Sequence, residues 1–107
     1  MITLDELEQM IERLPELYKK YGRKPDVGAH KGCDCYACAL EIIALELGYD
    51  QWQDVLTEPS APNWQREEEL DVFWETFDGY DVGIPTPPPN IARVIKLAKR
   101  AREVVGL

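Results

Sequence analysis

The sequence predicts an all-α fold, a single small domain over residues 1–107 with four to five helices around a central apolar helix at about 35–47. Three observations predict it. Apolar residues recur at helical spacing in several separate runs. Cap residues, glycines and prolines bound those runs. No run alternates apolar and polar residues over the length of a strand, and only Tyr80 to Ile84 reads as a short extended segment.

The first helix starts at a capping box, Thr3 with Glu6, after which Leu4, Leu7, Ile11 and Leu14 fall on one face. Pro15 lacks an amide hydrogen and clashes with the preceding turn, so the helix kinks or restarts there, a bend being expected, and Leu17, Tyr18 and Tyr21 continue it to Gly22. Residues 22–34 lack apolar periodicity and read as a loop. From Cys35 to Leu47 the chain is apolar nearly all round, interrupted by Glu41 and Glu46 and stopped by Gly48, the pattern of a buried central helix. Asp50 can cap a short helix carrying Trp52, Val55 and Leu56. Leu70, Phe73, Trp74 and Phe77 then repeat at helical spacing, with Glu68, Asp71 and Glu75 opposite. The stretch from Gly79 to Asn90 holds Pro85, Pro87, Pro88 and Pro89 and reads as a stiff spacer. In the last helix, capped by Asn90, Ile91, Val94, Ile95, Ala98, Ala101 and Val105 point inward and Arg93, Lys96, Lys99 and Arg100 outward.

Charge restricts the partners. A net charge of −8 gives no basic footprint for direct contact with nucleic acid or an anionic membrane. Its distribution is segregated: residues 50–81 hold ten acids and only Arg66, whereas residues 82–107 hold one acid and five bases. No apolar run reaches the roughly 20 residues that span a bilayer, and the first ten residues carry acids rather than a basic signal, so a cytoplasmic setting is expected.

The densest group of reactive side chains is His30, Cys33, Cys35 and Cys38, and three readings of it stay open. It holds the ligand set of a Cys3His zinc site, although structural zinc sites usually join two separated ligand pairs and here all four residues lie close together. Cys35-Tyr36-Ala37-Cys38 at a helix start can also act in redox or nucleophilic chemistry, since the helix dipole lowers the first thiol's pKa. The third reading makes Cys38 a core residue beside Ile42 and Leu45, with Cys35 one turn away on that face, and His30 and Cys33 ordinary loop residues. No cofactor is favoured, and zinc is the one the residues allow.

The acids from Glu67 to Asp81 lack calcium-loop or metal-helix spacing, and the simplest account of them is a solvated helix face. The same third of the chain holds all three tryptophans, however, and an acidic aromatic face suits a protein partner whose own surface is basic. Trp64, Glu68, Asp71 and Glu75 are the candidate contact residues. Nothing resembles a phosphate-binding glycine loop or a nucleophile elbow, and one histidine leaves little room for a triad. A non-enzymatic binding or regulatory protein is therefore expected.

Cys38-Ala39-Leu40 opening an apolar helix, then Phe77-Asp78, then a terminal helix rich in Ile, Val and Ala, is similar to a family of short bacterial and phage proteins of unknown function. The resemblance covers about half the chain and implies no activity.

Overall fold

A computed structural model describes residues 2–25, 36–50, 55 and 66–107, with the backbone alone for residues 66–69 and 90. These residues form five helices and one two-stranded parallel ladder, in the order α1 (Leu4–Glu12), α2 (Leu14–Lys20), β1 (Lys24–Pro25), β2 (Tyr36–Ala37), α3 (Ala39–Leu47), α4 (Arg66–Phe77) and α5 (Pro89–Val104). The fold is all-α with a vestigial strand pair.

Helix α1 begins at the expected capping box. The Glu6 amide donates to Thr3 Oγ1 at 3.2 Å, and the Thr3 amide donates to the Glu6 carboxylate at 3.2 Å. The chain restarts rather than bends at Pro15, which sits in the first turn of α2, where a missing N–H costs nothing. Arg13 forms the break, its amide turning back to the Met10 carbonyl at 3.0 Å. Leu7, Ile11, Leu14 and Leu17 are fully buried across the two helices, so one apolar stripe continues through the break. The Ile2 amide donates to the Val55 carbonyl at 2.8 Å and ties the N-terminal end to residue 55. Apart from Asp50 and Val55, the short helix expected around Trp52 and Leu56 lies outside the described residues.

The central apolar helix starts later than its sequence suggests. Tyr36 and Ala37 pair in parallel with Lys24 and Pro25, and the Tyr18 hydroxyl donates to the Ala37 carbonyl at 2.7 Å in the interior. That pairing holds the backbone extended through Cys38, the N-cap, so α3 begins at Ala39. Ala39, Leu40, Ile42, Ile43 and Ala44 are buried, whereas Leu45 is 42% exposed and does not share the core with Cys38 as expected. Gly48 ends the helix at φ +79°, a left-handed conformation that glycine adopts without a Cβ penalty, and the Tyr49 amide closes on the Ala44 carbonyl at 2.9 Å.

Helices α4 and α5 form the most extensive pair, and α5 also packs on α1 and α2. Leu70, Phe73 and Phe77 of α4 meet Ile91, Val94, Ala98 and Ala101 of α5 in the core, and the Phe73 and Phe77 rings lie 6.4 Å apart. Trp74, assigned to the inward stripe by spacing, is instead 43% exposed. At roughly 100° per residue the buried arc runs through Val72, Thr76, Phe73, Phe77 and Leu70, and Trp74 falls beyond its edge. Helix α5 is capped by Pro88 with Pro89 in its first turn, not by Asn90. Residues 80–84 form no ladder among the described residues. They turn, with Asp81 Oδ1 accepting from the Gly83 amide at 3.0 Å, and Val82 and Ile84 lean on the core.

Candidate functional site

Helix α4 presents an acidic outer stripe because its inward arc is fully used. Asp71 and Glu75, one turn apart, are exposed, and Trp74, also exposed, lies to one side of them, next to the buried arc. Glu68 precedes them by one turn on the same helix, its side chain outside the described residues, and Trp64 also lies outside them.

The bases of α5 point a different way from the one segregation along the chain suggests. Arg93 pairs with Asp5 and, at 3.3 Å, with Glu8. Arg100 holds Glu12 through two bonds of 2.9 and 2.7 Å and reaches Glu103 at 3.1 Å. Arg102 donates to the Phe77 carbonyl at the end of α4. Two of the five tail bases, Arg93 and Arg100, are thus matched by α1, from the opposite end of the chain, and α5 meets α4 through apolar faces and the Arg102 bond to one carbonyl. Among the described residues neither Asp71 nor Glu75 enters an ion pair. Pairing shows in the titration as well: the Arg100 guanidinium draws Glu12 below the usual carboxylate range, and Glu12 raises Arg100 in return. Exposed bridges of this kind add little to stability, so their importance lies in which charges they occupy.

Glu46, at the end of α3, is a second hub, and its position interrupting an apolar helix was its only signal in the sequence. Its carboxylate accepts from Lys20 at 2.6 Å, Tyr21 at 2.8 Å and Arg13 at 3.0 Å. The Lys20 and Tyr21 bonds, followed by that of Arg13, draw its pKa down to about 2. With both partner cations on or beside α2, this is a clamp between two helices rather than a reactive group.

Of the cysteine run, only Cys38 is described; His30, Cys33 and Cys35 lie outside the described residues. Cys38, rather than Cys35, stands at the helix start, and it is 4% exposed. Burial, reinforced by the charge of Glu41, pushes its thiol far up, against the direction of the helix dipole. Among the described residues no group of histidines, cysteines and acids is arranged to hold a metal ion.

No protein-family model, curated protein or solved structure matches the chain. Functional assignment therefore rests on the geometry. Among the described residues no helix is long and apolar enough to cross a membrane.

Proposed function

We propose that the chain is a small non-enzymatic binding or regulatory protein of the cytoplasm, whose α4 face engages a basic surface of a protein partner. One observation carries this reading. The five bases of the tail lie in α5, yet among the described residues Asp71 and Glu75 have no ion pair while Arg93 and Arg100 are satisfied by α1. An unpaired acidic stripe bearing a half-exposed tryptophan supports recognition of complementary charge around an aromatic anchor. Glu68, one turn earlier in α4, and Trp64, outside the described residues, are the further contact residues that the sequence offers. A surface of this kind resembles a phosphate track in charge, so a nucleic-acid-binding protein is the partner class it fits, with no direct nucleic-acid contact by the chain itself.

The test is capture from source-cell extract followed by reconstitution with the purified partner. Binding should weaken as salt rises, since exposed charge pairs are screened. It should fall further in the Asp71→Asn, Glu75→Gln double variant, whose helix loses no buried contact. Partners that bind this variant as tightly as the parent chain, at every salt concentration, would refute the reading.

A further inference from the structure

We propose that the cavity between the end of α4, residues 79–84 and α5 binds a small amphipathic monocarboxylate. The site is separate from the α4 acidic face and does not depend on it. Its volume is about 500 Å³, within the range of small-molecule sites. Half-buried Val82, Ile84 and Ile95 supply an apolar wall.

The charge inside it is unlike that of the neighbouring surface. Lys99 and Arg102, three residues apart on α5, line one side. Neither enters an ion pair among the described residues, whereas Arg93 and Arg100 on the same helix are both matched by acids. The lining itself holds one acid, Asp81, with one oxygen taken by the Gly83 amide, and Asp78 adjoins it at the carbonyl end of α4. Among the side chains of the lining two bases face one acid, a net of one positive charge, which suits a monoanion better than a phosphate dianion.

One feature prepares the cavity for a ligand. Arg102 is held by the Phe77 carbonyl against Gly79, where a Cβ would lie 3.2 Å from Nη1, so the guanidinium is fixed while its other N–H groups remain available. Thr76, also in the lining, is 4% exposed, and its Oγ1 has no hydrogen-bond partner in the described structure. That oxygen is itself closed off from solvent, so a ligand would meet the rest of the Thr76 side chain and not the hydroxyl.

Amide NMR of the intact chain, titrated with phenylbutyrate and in parallel with phenylbutanol, tests the assignment. Phenylbutyrate should give saturable shifts centred on Thr76, Gly79, Gly83 and Lys99, and the alcohol should bind at least tenfold more weakly. The exposed change Lys99→Met should weaken phenylbutyrate severalfold, while Lys96→Met, on the α1 side of α5, should leave it unchanged. Absent or scattered shifts, equal binding of the alcohol, or equal losses in the two lysine variants would overturn the proposal.

Discussion

Replacing Gly79 with alanine measures how tightly Arg102 is held against the end of α4. Gly79 has φ +98°, so any L residue there carries a backbone penalty of about 1–2 kcal/mol. A second cost depends on the neighbour. The added Cβ would sit 3.2 Å from Arg102 Nη1, and a free arginine tip would swing away at little cost. This tip is bonded to the Phe77 carbonyl, and a hydrogen bond with a charged donor contributes about 1.5–3 kcal/mol. If the contact is partly lost, Gly79→Ala should cost about 2–4 kcal/mol in all. Gly83→Ala is the control: φ is +66° with open space around the new methyl, so only the backbone term of about 1–2 kcal/mol applies. Urea unfolding of both variants, repeated in an Arg102→Ala background, forms a double-mutant cycle. Gly79→Ala should fall to the level of Gly83→Ala once Arg102 is removed. Equal costs for the two glycines in both backgrounds would show that Arg102 is not fixed there.

The Glu46 clamp predicts a pH dependence. Its folded pKa, about 2, lies below the ordinary glutamate value, so its stabilisation is fully present above that ordinary value and is lost as pH falls towards 2. Acid unfolding followed by circular dichroism should therefore flatten in Glu46→Gln, and a profile identical to the parent would refute the clamp. Phe77→Ala empties a fully buried site stacked on Phe73 and should cost about 3–5 kcal/mol in chemical denaturation; a loss below about 1 kcal/mol would contradict the α4–α5 core. A thiol reagent should leave Cys38 unmodified until the chain unfolds, and rapid modification in the native state would mean that its burial is wrong.

Local chemistry made several elements legible. Thr3 with Glu6, Pro15 and Gly48 each act through their own backbone neighbourhood, and each does in the structure what its residue type dictates. The start of α3 was not legible in the same way. Cys35 to Ala39 carry no cap signal, and what keeps Tyr36 and Ala37 out of the helix is pairing with Lys24 and Pro25 and the bond from Tyr18, contacts that local periodicity does not contain. Trp74 was misplaced for a related reason. Leu70, Phe73, Trp74 and Phe77 define an arc compatible with helical spacing, but the partner helix selects the neighbouring arc through Val72 and Thr76, and a small polar residue such as Thr76 gives no hint that it will be buried.

The candidate site shows the same division between local and distant causes. Asp71 and Glu75 are exposed where the two-faced pattern put them, because exposure of a charged residue opposite an apolar stripe is a local consequence of helix geometry. Whether those charges remain available is a tertiary question. The contrast between an acidic middle and a basic tail invites the idea that the two neutralise each other, and packing of α4 on α5 makes that geometrically accessible. Instead, Arg93 reaches Asp5, 88 residues away in sequence, and Arg100 reaches Glu12, also 88 away. Both pairings follow from α1 and α5 lying side by side, with their acids and bases on facing edges. Among the described residues Asp71 and Glu75 are left unmatched by the fold's own bases, and this turns a compositional bias into a surface on which a basic partner can be tested.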